Sequence, residues 1–401
     1  MTILYVSYDG MLEPLGYSQV YKYLEILSKN EKIILVSYEK KNNLRINDNH
    51  KKLIYSNFNK NNILWIPLVY HKKLSLIATT YDLLIGVIVC FYLTIKYKIN
   101  IIHARSYLAS CIPLIIKLFL NIKFIFDMRG FWPDEKLESN WSANSFIYKF
   151  SKVVEKYLLL KADYIITLTN ASVPLIKNFT YLSEKKNIKI KVIATCADLN
   201  IFRPSFSQQN FIVNKFVTIG YVGSIFNWYL FEETVKCFSL ILKLKPNTKL
   251  LIINKYDHEA IRNKFSIYSI SKENYDIISA EPYEMPNLIK KMDASVFFLK
   301  NVYSKQASSA TKLGELLGCG IPCLTNSGVG DMEYIINSES VGVTVSNFTE
   351  EALLNGIDKL FEIMYEENIR QRCHNAALKF FSLEKGASLY RDVYHELNTS
   401  L

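Results

Sequence analysis

Short β-branched and aromatic runs alternate with helix-length amphipathic stretches along nearly the whole chain, and this alternation restricts the fold more than any other feature. Residues 3–8, 33–37, 63–66, 99–103, 122–126, 164–167 and 190–193 read as strands, separated by helical stretches such as 18–28, 108–118 and 145–161. The pattern then restarts, with strands at 216–222, 249–253, 276–278, 294–298, 322–325 and 342–345. Near-continuous apolar strands joined by helices belong to parallel sheets covered on both faces. Two such series in 401 residues predict an α/β chain of two doubly wound, Rossmann-like domains facing across a cleft. A proline and a polar cluster at 204–210 mark the break. The expected division is a first domain over 1–204, a second over 205–380, and a closing segment over 381–401.

Half of the residues are hydrophobic, which supplies large cores and excludes wholesale disorder. Met1 and Thr2 run directly into the first strand without a basic leader, so no secretory signal is expected there. The seven cysteines are odd in number, scattered and mostly in apolar runs, the usage of a reduced, cytoplasmic protein. Cys319 and Cys323 have no second ligand pair nearby, so a zinc site is not expected.

Charge is distributed unevenly. Residues 1–200 hold 27 Lys and Arg against 15 Asp and Glu, so the entire +11 excess of the chain lies in its first half. A one-sided basic surface suits an anionic partner, read here as a membrane surface or lipid-pyrophosphate acceptor in preference to nucleic acid. The stretch 74–95 is strongly apolar, but Asp82 interrupts it and leaves an apolar run shorter than the roughly 20 residues of a membrane span. It reads as a buried or interfacial helix. The Lys- and Asn-rich stretch 39–62 reads as a surface loop of the first domain.

In open parallel sheets ligands bind at the carboxyl ends of strands, so the loops there carry the functional candidates. After the first strand, Gly16 and a Ser18 N-cap would let backbone N–H groups approach an anion. The loop after 122–126 holds Asp127, Arg129 and Trp132, and His103 and Arg105 end the preceding strand. Charges in such a place face a polar cleft or form a local Asp–Arg pair. In the second half, Gly223 and Ser224 follow a strand and open toward a helix. Further on, Lys305, Ser308, Ser309 and Thr311 precede or open a helix that carries Lys312 and Glu315. Free N–H groups, a positive helix end and two lysines suit a diphosphate. A carboxylate one turn on suits the hydroxyls of a ribose, and Tyr283 is a candidate to stack on a base. A capping box led by Thr311 or Ser309 is the plainer reading of the same segment, although it leaves the lysines unexplained.

Segments 8–20, 126–135, 192–204, 221–224 and 308–330 together resemble the family-4 glycosyltransferases, in particular a bacterial surface-polysaccharide branch. The run Thr311-Lys312-Leu313-Gly314-Glu315-Leu316-Leu317-Gly318-Cys319-Gly320-Ile321-Pro322 is the most specific of them. The resemblance implies a GT-B fold, a nucleotide-sugar donor held mainly by the second domain, and a glycan or lipid-linked acceptor held by the first. It implies retaining chemistry without metal or further cofactor, and an enzyme peripheral at the cytoplasmic face of the inner membrane. A final helix at 383–397 would cross back to the first domain. Glu315 matches the family's ribose-binding glutamate, at the end of its Glu-x7-Glu motif. The first glutamate of that motif falls at Ala307, and the usual arginine of the second domain's first loop falls at Ser224, with no lysine at Asn227, Trp228 or Tyr229. Lys305 and Lys312 are then the candidates for the missing phosphate charge. Asp127, with Arg129 beside it, stands where many relatives place a histidine. The resemblance gives Lys312, Asp127 and Arg129 catalytic roles. Gly16, Gly223, Ser224, Tyr283, Lys305, Ser308, Ser309, Thr311, Lys312 and Glu315 are assigned to the donor, and His103, Arg105 and Trp132 to the acceptor. A nucleotide-sugar epimerase of the same fold and a non-catalytic nucleotide-sugar-binding partner are the rival readings. Neither half carries the full dinucleotide fingerprint of an NAD enzyme.

Overall fold

A computed structural model describes residues 1–45, 49–71, 75–183, 187–204 and 216–399. They form two compact units, one of 1–194 with 383–401 and one of 195–382. The polar part of the expected linker, 205–210, lies outside the described residues.

In the first unit the order is β1 (Thr2–Ser7), α1 (Pro14–Gly16), α2 (Lys22–Leu27), β2 (Lys32–Lys40), α3 (Lys41–Arg45), α4 (Asn49–Lys60), β3 (Leu64–Tyr70) and α5 (Ser75–Lys96). There follow β4 (Ile101–Arg105), α6 (Ser106–Ile116), β5 (Lys123–Asp127), α7 (Trp132–Ser139), α8 (Phe146–Lys161), β6 (Tyr164–Thr167), α9 (Ser172–Lys177) and β7 (Ile190–Val192). The seven strands make one parallel sheet in the order β3-β2-β1-β4-β5-β6-β7. Its switch of direction lies between β1 and β4, where Ser7 pairs with Arg105 and Arg105 with Asp127. Central strands are buried along their length, as their Ile-, Leu- and Val-rich composition requires.

The second unit repeats the plan: β8 (Val217–Val222), α10 (Phe231–Leu244), β9 (Thr248–Ile253), α11 (His258–Ile267), β10 (Tyr275–Ile278), α12 (Met285–Ile289) and β11 (Ala294–Val296). Then come α13 (Thr311–Gly318), β12 (Cys323–Asn326), α14 (Met332–Glu339), β13 (Gly342–Val345), α15 (Glu350–Met364) and α16 (Ile369–Phe380). Its parallel sheet runs β10-β9-β8-β11-β12-β13. The last helix, α17 (Leu383–Asn398), belongs to the first unit and packs on α2.

All thirteen strands fall where the apolar runs place them, and the differences concern helices. The stretch read as a loop over 39–62 ends β2 and forms α3 and α4. Ile54 and Phe58, four residues apart, anchor α4: both are fully buried, and Phe58 stacks on Trp65. Ser18 is not an N-cap. The helical segment begins earlier, at Pro14, whose fixed φ suits a first turn, and Ser18 lies in the π-helical turn that follows, its hydroxyl donating to the Leu15 carbonyl. The helix expected at 74–95 exists as α5, and only 28% of its most apolar window is buried, so the reading as a buried helix does not hold.

Candidate active site

In the second unit the chain after β8 and the chain before α13 come together at the carboxyl ends of β8 and β11. The first of these segments is pinned to the chain just past β11: Leu230 N–H donates to the Phe298 carbonyl, and Lys300 N–H to the Trp228 carbonyl. Trp228 and Tyr229 are thereby presented to the second segment, whose two lysines lie over their rings. The Lys305 ammonium is 3.8 Å from the ring centroid of Trp228. The Lys312 ammonium is 3.9 Å from that of Tyr229, 4.6 Å from Tyr221 and 5.0 Å from Phe297. Such contacts each supply about 0.5–2 kcal/mol, which lets a cation persist in an apolar setting.

Lys312 is the more unusual of the two. It is buried, and its ammonium has no hydrogen-bond partner. Burial pulls it down to about 7, against the attraction of Glu315 one turn on. Glu315 is half-buried as a residue, but loss of water around its carboxyl pushes it up to about 7, with Lys312 working the other way. Gly223 completes the geometry: its φ is +104°, and a Cβ built there would lie 3.4 Å from the Lys312 nitrogen. Only a residue without a side chain lets that backbone approach the ammonium without strain. An unpartnered buried ammonium costs more than the roughly 1–3 kcal/mol of an unsatisfied neutral group, and an anion set against it would supply the missing partner.

The backbone around it is consistent with that use. The N-cap of α13 is Ala310, with no side-chain cap, so the capping box is not formed. Ser309 instead accepts a hydrogen bond from Thr195 N–H. Thr311 opens the helix, and Ser308 N–H donates to the Lys305 carbonyl. Ser224 accepts from Phe226 N–H, and the Asn254 amide donates to the Gly223 carbonyl, fixing the turn. Ala307, where the family pattern has a glutamate, is fully buried. Tyr283 is 79% exposed in a turn before α12.

In the first unit, the candidates gather at the ends of β1, β4 and β5. Arg105 donates to the Asp9 carboxylate at 3.2 Å. His103 and Asp127 are fully buried beneath α17. Tyr390 donates to Asp127 at 2.9 Å, and His103 Nδ1 lies 2.7 Å from the Tyr394 hydroxyl. Burial opposes ionisation of Asp127, but Arg129, His103 and Arg105 outweigh it and hold the carboxyl below its usual range. Burial also lowers His103, against the pull of Asp127, so the ring stays neutral at pH 7. Arg129 (φ +58°) and Gly130 (φ +121°) turn the chain sharply after β5, a backbone form that a non-glycine residue adopts at a cost. Trp132 starts α7 and packs against Tyr107 and Trp141.

The loop after β1 departs most from the sequence reading. Gly16 presses on the Gly10 carbonyl, which a Cβ would meet at 2.1 Å. The loop N–H groups of Met11 and Leu12 already donate to Glu39, a buried carboxylate at the end of β2. Glu39, the rings around Lys312, and Tyr390 and Tyr394 were not legible as site residues.

Residues 202–380 match the family described as "Glycosyl transferases group 1". An uncharacterized glycosyltransferase of Methanocaldococcus jannaschii is 23% identical over 271 residues, and the match spans 65% of each chain's length. Sucrose-phosphate synthase of Thermosynechococcus elongatus has a similar fold (TM-score 0.75, 16% identity, 100% of both chains covered). So does Anabaena HepE in complex with UDP (TM-score 0.70, 13% identity, 100% of both chains covered). The match to the group 1 glycosyl transferases thus covers residues 202–380, and the two parallel sheets with interleaved helices have the GT-B fold.

Proposed function

We propose that this chain is a GT-B glycosyltransferase that moves a sugar from a nucleoside-diphosphate donor to a glycan or lipid-linked acceptor of a bacterial surface polysaccharide, with retention at the anomeric carbon. The observation that carries the reading is the unpartnered, buried Lys312 ammonium facing Gly223, with Glu315 one turn away. A diphosphate supplies the oxygens this ammonium lacks, and Lys312 and Lys305 then stabilise the charge that develops on the leaving group as the glycosidic bond breaks. The open N–H groups at the start of α13 and the turn at Gly223 and Ser224 add to that field. Glu315 accepts hydrogen bonds from the ribose hydroxyls, and Tyr283, 79% exposed, stacks on the base. HepE, which shares the fold, is described in complex with UDP, which supports a nucleotide of that kind.

In the first unit, Arg129 and Arg105, with Trp132, are assigned to sugar and acceptor. Asp127 and His103, both fully buried beneath α17, lie too deep to touch either.

A thermal-shift screen of the protein against UDP, GDP, ADP, TDP and CMP, followed by transfer assays with the matching sugar donors, tests this. Selective stabilisation by one nucleotide that is lost in Lys312→Met, together with transfer, supports the reading. Binding without transfer to any acceptor supports a non-catalytic partner, for which the fully buried Ala307 is the favouring observation. Conversion of the donor sugar without an acceptor supports an epimerase.

A further inference from the structure

Strand β2 ends on a carboxylate that faces inward. Ser37 and Glu39 alternate onto one face of the strand, and both are fully buried. A buried carboxylate is costly unless donors surround it, and most of its donors come from the loop after β1. Glu39 Oε1 accepts from Met11 N–H at 2.6 Å and from the Ser37 hydroxyl at 2.7 Å, and Oε2 accepts from Leu12 N–H at 3.2 Å. The Trp65 indole N–H donates to the Ser37 oxygen at 2.8 Å, which leaves the Ser37 proton for Glu39. These donors are all uncharged. Lys40, next in the chain, pairs with Glu13 instead.

The loop is shaped around this group. A Cβ on Gly10 would lie 2.6 Å from Glu39 Oε2 and 2.9 Å from the Tyr38 carbonyl, so the loop backbone rests directly on the carboxylate. In a doubly wound sheet the loop after the first strand is where backbone N–H groups meet a ligand's phosphate. Two of those N–H groups here meet an anion that belongs to the protein itself.

The residue before Gly10 shows what the loop holds in place. Asp9 N–H donates to the Ser7 hydroxyl oxygen at 3.1 Å, and the Asp9 carboxylate accepts from Arg105 Nε at 3.2 Å. Asp9 is thus anchored by β1 on one side and, through Gly10 and Met11, by Glu39 on the other. Arg105 ends β4, the strand beside β1 at the switch of direction, where ligands bind in such sheets. With its Nε taken by Asp9, the terminal nitrogens of the guanidinium are those left to a ligand, and such a fork suits the oxygens of an oxyanion.

We propose that Glu39 is a positioning residue, a built-in anion that folds the loop after β1 so that Asp9 aims the Arg105 fork at an oxyanion of the acceptor. The target of the fork rests on the assignment of Arg105 to the acceptor. The relay from Glu39 through Asp9 to Arg105 does not.

Glu39→Ala removes a piece the size of acetate, which allows a direct test in the full chain. With arginine-labelled protein, the Arg105 Nε–H resonance is identified by its loss in Arg105→Lys. In Glu39→Ala it should move toward the position of free arginine, and sodium acetate should restore it where sodium chloride at equal ionic strength does not. Hydrogen exchange at the Met11 and Leu12 amides should speed up about tenfold or more and slow again with acetate. Glu39→Gln, of equal volume, should show the same loss and gain nothing from acetate, and it serves where the alanine variant does not fold. In transfer assays either Glu39 variant should raise acceptor KM about tenfold at unchanged kcat and donor KM, as should Asp9→Asn. Glu39→Ala combined with Asp9→Asn should be no worse than either alone. An Arg105 resonance indifferent to Glu39, or a folded Glu39→Ala that acetate does not restore, overturns the relay. An intact relay with acceptor KM unmoved overturns the target assigned to the fork. Absence of transfer by the native chain, with the relay intact, counts against the transferase reading and not against the relay.

Discussion

The Tyr390 hydroxyl donates a 2.9 Å hydrogen bond to the Asp127 carboxylate, joining residues 263 positions apart in the chain. Both groups are buried. Tyr390→Phe leaves that buried carboxylate with one partner fewer, and should lower the stability of the first unit by about 1–3 kcal/mol in denaturant unfolding. Because Asp127 is held below the usual carboxylate range, its ionised form contributes stability above roughly pH 4 that is lost as pH falls further. Asp127→Asn should therefore weaken the protein at neutral pH and flatten the acid side of its stability profile.

Affinity for the donor nucleotide should peak near pH 7. Lys312 must carry its proton to hold an anion, and in the free protein it loses that proton above about 7. Glu315 must be ionised to accept from a ribose, and below about 7 it is not. Affinity should thus fall on both sides, by up to about tenfold per pH unit. In titration calorimetry across pH, Lys312→Arg should remove the alkaline limb and Glu315→Gln the acid limb. A flat profile in the native protein would refute the pairing.

Gly223→Ala should weaken nucleotide binding more than it weakens the fold. The new methyl group would sit 3.4 Å from the Lys312 nitrogen, on a backbone at φ +104°. The backbone strain costs on the order of 1–3 kcal/mol, and the methyl group also occupies space that a phosphate needs. Comparison of thermal midpoints with and without nucleotide separates the two effects.

Trp228 should report occupancy directly. Its ring carries the Lys305 ammonium at 3.8 Å, and a bound diphosphate would draw that charge toward itself. Indole emission should shift on nucleotide addition, and Trp228→Phe should abolish the shift while the other tryptophans remain.

How much of this was legible in sequence depended on how local the signal was. Every strand was readable, because a strand buried on both faces needs an unbroken Ile-, Leu- and Val-rich run and little else provides one. The α4 helix was not, because dense Lys and Asn around Ile54 and Phe58 hid a two-residue anchor. Sequence placed α5, but a stretch apolar all round does not tell which face meets the sheet. Lys312 and Glu315 were readable from their one-turn spacing at a helix start. The rings of Tyr221, Tyr229 and Phe297 around Lys312 were not, since they reach it from other strands and loops. Glu39 escaped for the same reason: its partners, Met11 and Leu12, lie on another loop.

The return of α17 to the first sheet has a consequence for biosynthesis. Strands β4 and β5 leave the ribosome early, yet the tyrosines that cover His103 and Asp127 are not made until the whole second unit has been translated. The second unit is continuous in sequence and is free to fold while the first still waits with a polar pair uncovered in its sheet. For that interval the older half of the nascent chain is the less finished one, and the half more open to chaperones and proteases.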